Sequence, residues 1–174
     1  MGVTTTTPIW SVLDSPVGEL LLTSDSLALT GLYFSPHRGT HGPWDRYQTE
    51  GTRADDAPLL RSVVEQLTEY FGRERTEFTI PLNAAGSGFQ HRVWDQLRTI
   101  PYGQTASYGG IAGQLGLPPG GSRAVGLANG SNPISIIVPC HRVIGSDGSL
   151  TGYGGGLDRK RYLLDLESPR ATLF

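Results

Sequence analysis

Residues 107–126 read Ser-Tyr-Gly-Gly-Ile-Ala-Gly-Gln-Leu-Gly-Leu-Pro-Pro-Gly-Gly-Ser-Arg-Ala-Val-Gly. Tyr108, Ile111, Ala112 and Leu115 fall at helical spacing, glycines and prolines from Gly116 to Gly121 stop that helix, and a second one starts near Ser122. Two short helices across a tight turn predict a helix-turn-helix. The same spacing serves any αα-hairpin, the commoner origin of such a pattern. What favours a nucleic-acid role is Arg123, at the start of the second helix, where a side chain can enter a DNA groove.

Outward from this pair the pattern stays mostly helical. Ser87 is placed to cap a helix whose apolar face is Phe89, Val93, Trp94 and Leu97, and Pro101-Tyr102-Gly103 stops it. On the other side Ile134-Ser135-Ile136-Ile137-Val138 reads as a buried extended segment running into Pro139-Cys140-His141-Arg142-Val143. A glycine-rich loop from Gly145 to Gly156 follows. A last helix spans about Leu157 to Glu167, apolar at Tyr162, Leu163, Leu164 and Leu166.

The first half has a different period. Ile9–Leu13, a turn at Ser15-Pro16-Val17-Gly18, Glu19–Thr23 and Leu27–Phe34 predict a small antiparallel sheet. A polar loop rich in Gly and Pro comes next. Asp55 or Asp56 can cap a helix with Pro58 in its first turn and Leu59, Leu60, Val63, Val64, Leu67, Tyr70 and Phe71 as its stripe, ending at Gly72. Phe78–Leu82 reads as a further short strand, and the small, glycine-containing Asn83–Gly88 as a domain boundary. The expected fold class is therefore α+β: a sheet-and-helix domain over 1–85 and a mostly helical domain over 86–174.

Composition narrows the function classes. With 37% hydrophobic and 17% charged residues the 174-residue chain is globular. Its net charge of −2 is unlike that of a nucleic-acid binder. The halves differ, however: residues 1–85 hold six arginines against eleven acids, whereas residues 86–174 hold eight basic residues against five acids. A phosphate-facing surface thus belongs to the second half. One cysteine excludes an intramolecular disulfide, and with four scattered histidines it leaves no Cys/His zinc set. No stretch reaches the roughly 20 apolar residues that cross a bilayer, and the threonine-rich start, Met1–Thr7, lacks the pattern of a signal peptide. A soluble, cytoplasmic protein with no membrane partner is expected, in keeping with a lone thiol.

Cysteine beside histidine can supply a nucleophile, because the thiolate attacks and a nearby base raises its population. Adjacency alone proves little. A cysteine after an apolar run is often an inert core residue, and neighbours in an extended segment point opposite ways.

Longer strings carry more. Ile137-Val138-Pro139-Cys140-His141-Arg142-Val143-Ile144 resembles the active-site motif of the O6-alkylguanine-DNA alkyltransferase family. The similarity extends through Asn132-Pro133, Arg123-Ala124-Val125-Gly126, Ser107-Tyr108, Phe89-Gln90-His91-Arg92-Val93-Trp94 and Ile100-Pro101-Tyr102-Gly103. Beyond the motif it includes Gly152-Tyr153-Gly154-Gly155-Gly156-Leu157 and Glu167. The first half is similar mainly through Ser15-Pro16-Val17-Gly18 and the order of its elements.

The resemblance implies a ribonuclease-H-like first domain and a winged-helix-like second one. It implies irreversible, single-turnover transfer of an alkyl group from O6-alkylguanine, with O4-alkylthymine a further substrate, onto Cys140. In that scheme His141, acting through a water, generates the thiolate, Glu167 orients the imidazole and Asn132 braces the loop. Guanine in a duplex cannot reach a protein thiol, so the nucleotide must flip out from the minor-groove side. By resemblance Arg123 fills the gap, Tyr108 crowds the 3′ phosphate and shares a proton with the leaving base, and Ala124, Val125, Gly126, Ala128 and Asn129 lie on the DNA-binding helix. Pro139, Val143, Tyr153 and Gly154 would line the base pocket.

Relative to the family pattern the turn at Pro118-Pro119-Gly120-Gly121 reads one residue longer. The cysteines of relatives with an N-terminal zinc are missing, so no metal or cofactor is implied. The implied partner is double-stranded DNA bearing O6-alkylguanine, bound by a monomer, with cooperative loading on DNA left open. Two rivals stand beside this reading. A helix-turn-helix regulator leaves Cys140, His141 and Glu167 without work, and a Cys/His hydrolase would turn over repeatedly.

Overall fold

The computed structural model describes residues 7–25, 27–35 and 42–169. Residues 1–6 of the threonine-rich start and 36–41 of the polar loop lie outside them. The chain divides between Ala85 and Gly86 into two compact units.

In the first unit β1 (Ile9–Ser15) and β2 (Gly18–Ser24) form an antiparallel hairpin closed at the pair Ser15↔Gly18. Gly18 takes φ 95°, a left-handed conformation that a side chain would strain. β3 (Leu29–Phe34) pairs antiparallel with β2, giving the sheet order β3-β2-β1-β4. Leu20, Leu22, Leu29 and Leu32 are fully buried, as are Leu60, Val63, Leu67 and Tyr70 of the amphipathic helix α2 (Pro58–Phe71). Burying such side chains stabilises the unit by roughly 2 kcal/mol each.

Three sequence expectations change here. The polar loop contains a helix, α1 (Pro43–Glu50), followed by the two-residue strand β4 (Thr52–Arg53), which pairs in parallel with β1. Neither carries a long apolar run, so periodicity could not reveal them. Asp55 and Asp56 do not cap α2; Ala57 occupies that position without a side-chain bond. Asp55 instead accepts from Ser11 Oγ at 2.8 Å and from Arg53 Nε at 3.0 Å, tying the start of α2 to the sheet. Phe78–Leu82 is not a ladder strand. It makes one parallel bridge, Leu29↔Leu82, flanked by Leu29 N–H to Pro81 O and Asn83 N–H to Leu29 O, both 2.8 Å. Pro81 has no N–H with which to extend the pairing.

The second unit opens with α3 (Gly88–Leu97), whose Ser87 makes a full capping box with Gln90. Helices α4 (Tyr108–Gln114) and α5 (Gly121–Gly130) form the helix-turn-helix. Gly116 and Gly120 adopt φ 69° and 90° in its turn, which explains glycine at both places. Trp94 of α3 donates its indole N–H to Ala128 O at 2.8 Å, fixing α5 against α3. A short parallel pair, β5 (Ala106–Ser107) with β6 (Val143–Ile144), was not foreseen. Helix α6 (Leu157–Glu167) closes the unit; Leu163 and Leu166 are buried, but Tyr162 is 38% exposed and lies off the apolar face expected for it.

The segment 134–138 is buried as expected but not extended. It folds into turns, with Ile137 N–H to Ser135 O at 2.8 Å, Val138 N–H to Ile134 O at 3.1 Å, and Ile136 at φ 71°. A β-branched residue in the left-handed region is strained and persists only where surrounding contacts over-determine it. Among the described residues no helix is long and apolar enough to cross a membrane.

Candidate active site

Cys140 opens a single 3-10 turn, Cys140–Arg142, at the end of this folded loop. With about three residues per turn, consecutive side chains are not forced onto opposite faces as they are in a strand. Cys140, His141 and Arg142 are consequently all buried, at 4%, 0% and 7% exposure. Asn132 holds the loop in place. Its amide donates to Val138 O at 2.9 Å, and its carbonyl oxygen accepts from Ile134 N–H at 3.0 Å. The side chains of Asn132 and Tyr153 both act to lower the pKa of the Cys140 thiol.

Beside the thiol lies a buried charged chain. His141 Nε2 meets Glu167 Oε2 at 2.6 Å, and Arg142 grips the same carboxylate in a fork, Nε to Oε1 at 2.7 Å and the second terminal nitrogen to Oε2 at 3.2 Å. The remaining Arg142 arm donates to Ile100 O at 2.7 Å, so the guanidinium is held from two sides. Glu167 stays ionised despite burial, because His141 and Arg142 hold its carboxyl down at about 2. Burial pushes the His141 imidazolium toward the neutral form, against the pull of Glu167. A neutral imidazole bonded to a carboxylate through Nε2 donates from Nε2 and leaves Nδ1 as an acceptor. Nδ1 is buried and has no protein hydrogen-bond partner among the described residues.

Burial also pushes the Cys140 thiol up, while Asn132, Tyr153 and the charge of Lys160 pull it back. Lys160 is fully buried. Its ammonium donates to Thr151 O at 3.0 Å and stands 6.0 Å from the Tyr153 ring centre, so α6 anchors the glycine-rich loop from below. Thr151 Oγ in turn bonds the Tyr108 hydroxyl at 3.1 Å, linking that loop to the start of α4. The structure thus brings Cys140, His141, Glu167, Asn132, Tyr153 and, through Thr151, Tyr108 into one neighbourhood. Pro139 and Val143 are buried beside Cys140 in sequence, and Gly154 is exposed.

Arg142 and Lys160 were missed by sequence reasoning. Lys160, Leu163 and Glu167 stand at i, i+3 and i+7, one stripe of α6, and that spacing was the available signal for a buried lysine. No local pattern marks Arg142, because its partners are 25 and 42 residues away.

Helix α5 sorts its residues by exposure. Arg123 and Ala124 are exposed, whereas Val125 (0%), Ala128 (3%) and Asn129 (4%) face the protein interior. Val125 and Ala128 are apolar on the packed side of the helix, and the Asn129 amide is drawn to Cys140 O at 3.4 Å. Gly126 lies against the Tyr108 ring, which an added Cβ would meet at 3.8 Å. In place of the buried three, Leu127 is exposed at 71%.

A lone buried thiol, next to a histidine held by a carboxylate and built on the same unit as a helix-turn-helix, defines a protein that brings a cysteine nucleophile to a nucleic acid. Residues 88–169 match the DNA-binding domain of 6-O-methylguanine DNA methyltransferase, and residues 9–84 match its ribonuclease-like domain. A methylated-DNA–protein-cysteine methyltransferase of Mycolicibacterium paratuberculosis is 54% identical over 95% of this chain and 98% of its own length. The crystal structure of Mycobacterium tuberculosis O6-methylguanine methyltransferase is 50% identical with TM-score 0.83, covering 96% of each chain. A structure of the Mycobacterium tuberculosis protein OGT in complex with DNA matches at the same identity and score over 93% of this chain and 94% of that one. This chain belongs to the 6-O-methylguanine DNA methyltransferase family.

Proposed function

We propose that this protein repairs DNA directly, by moving the alkyl group of an O6-alkylguanine onto Cys140 once per molecule. The observation that carries the reading is the buried thiol beside the His141–Glu167–Arg142 chain, in the unit that holds the helix-turn-helix. His141 Nδ1 takes the thiol proton through a water, and the Glu167 carboxylate stabilises the imidazolium that forms. The thiolate attacks the alkyl carbon in line, a C–S bond forms as the C–O6 bond breaks, and the base leaves as guanine after taking a proton from the Tyr108 hydroxyl. His141 returns the proton to Tyr108, so the thiol proton ends on guanine. Asn132 keeps the turn that presents Cys140, and Lys160 offsets the thiolate charge while it holds the pocket loop. A thioether cannot be reversed by any group in this neighbourhood, so the protein is consumed.

The base reaches Cys140 by rotating out of the duplex from the minor-groove side, with Tyr108 against the 3′ phosphate and Pro139, Val143, Tyr153 and Gly154 lining its pocket. The protein acts as a monomer in the cytoplasm. Intact mass after mixing with duplex bearing O6-methylguanine tests the reading. One added methyl on Cys140, with each molecule repairing one lesion, is the expected result. Unchanged mass with sequence-specific binding supports a regulator instead, and repeated turnover supports a hydrolase.

Arg123 occupies the gap in the base stack. At saturating protein, Arg123→Ala is expected to lose most single-turnover rate on paired duplex, where extrusion costs a few kcal/mol, and least on single strand. A phosphate anchor would behave otherwise, weakening every DNA form alike and reducing the salt slope by about one unit.

A further inference from the structure

The side chain on α5 that the mechanism above leaves unused is Leu127. An exposed leucine by itself needs no explanation. Here its setting differs from an ordinary surface. The interior-facing residues of the helix, Val125, Ala128 and Asn129, are all seated in the protein, so Leu127 at 71% exposure adds nothing to that packing. Its neighbours along the exposed side are Ser122, Ala124, Gly130 and Ser131, and Gly126 is turned to Tyr108. A four-carbon apolar side chain therefore stands clear of a helix surface otherwise lined by small groups and by Arg123.

Arg123 and Leu127 are related by i, i+4, which places them on one face of α5 with Cβ atoms about 6 Å apart. Stacked bases repeat at about 3.4 Å along a strand, so two such side chains reach positions about two base steps apart. The charge around them suits DNA. From residue 96 to residue 146 the chain holds no aspartate or glutamate, and Arg98 and Arg123 stand exposed within that span, while Arg142 is buried against Glu167.

We propose that Leu127 is a second wedge, which enters the minor groove one helical turn beyond Arg123 and unstacks the duplex about two base steps from the extruded nucleotide. The inference rests on the DNA-repair reading above. Arginine and leucine divide the labour by chemistry. The guanidinium replaces the lost base with hydrogen-bond donors, and leucine offers a compact apolar surface to a parted step. Leucine is among the side chains that unstack DNA this way, kinking the duplex toward the major groove. A leucine that only brushed the sugar walls would add affinity for any duplex and leave extrusion untouched.

The two roles separate at saturating protein, where differences in affinity vanish. Leu127→Ala keeps a helix-forming residue and removes an exposed side chain, so its melting temperature should match the parent. Its single-turnover methyl transfer is expected to fall about ten-fold on paired duplex, in line with losing the partial burial of one leucine, and less than two-fold on single-stranded oligonucleotide. Leu127→Met, which restores an apolar wedge, should recover the duplex rate. In the Cys140→Ser background, 2-aminopurine placed about two base steps from the lesion should brighten on binding with Leu127 present and brighten less with alanine. Equal rates for parent and Leu127→Ala on duplex, or equal losses on duplex and single strand, overturn the wedge while leaving repair intact. A parent chain that transfers no methyl to Cys140 on either substrate overturns the repair reading itself, and the wedge with it.

Discussion

Cys140→Ser is expected to leave the protein at its parent mass after mixing with O6-methylguanine duplex, with transfer slowed by on the order of 10⁴-fold or more. The substitution changes one buried atom. The backbone contacts that seat the residue, Cys140 N–H to Val138 O at 2.8 Å and Asn129 to Cys140 O, do not involve the thiol. Serine therefore fits the same turn. Its hydroxyl is a far weaker acid than a thiol, however, so the base that can deprotonate sulfur leaves serine protonated and a poor nucleophile. DNA binding should remain near that of the parent, because the buried residue makes few phosphate contacts. Binding by gel shift and transfer by intact mass check the two halves, and methyl transfer by the serine variant would remove Cys140 from the mechanism.

Glu167→Gln is expected to destabilise the fold and slow the chemistry together. Glu167 lies at 3% exposure and answers two partners, His141 and the Arg142 guanidinium. A neutral amide leaves the buried arginine charge uncompensated, for which a loss of roughly 3–5 kcal/mol is usual. The pH dependence follows from the same contacts. The folded carboxyl sits at about 2 against an ordinary 4.5, so its contribution to stability is present above 4.5 and is lost as pH falls toward about 2. The parent should lose stability steeply through that window, and the glutamine variant should start lower and lose less within it. Chemically, Glu167 is what raises the basicity of an imidazole that burial depresses. Without the carboxylate the base weakens, the acid limb of the rate profile moves to lower pH, and the plateau falls about 10²-fold. Urea melts from pH 2 to 7 and single-turnover rates across pH measure both effects. A variant with parent stability and a parent pH profile would make Glu167 a bystander.

Both predictions rest on contacts of unequal visibility in the chain. The helix-turn-helix was legible because helical spacing and the Gly-Pro turn are local signals, and Ser87 marked the start of α3 in the same way. Cys140, His141 and Glu167 were reached through the motif strings and not through geometry. Helix α1 and strand β4 left no comparable trace. A polar eight-residue helix and a two-residue strand hold their places through neighbours such as Trp10, whose carbonyl accepts from Ala54 N–H at 2.9 Å.

What the sequence determined by itself is what nearest neighbours along the chain enforce: the α+β order of elements, the change of period near the middle of the chain, and the basic surplus of the second half. Tertiary structure decided the rest. It folded residues 134–138 into turns around the Asn132 amide, turned Val125, Ala128 and Asn129 inward, and left Leu127 outside. It also buried Lys160 beneath Thr151 and closed Arg142 onto Glu167 and Ile100. A buried charge is stable only where distant groups neutralise it and satisfy its hydrogen bonds, and those groups become neighbours only when the chain packs.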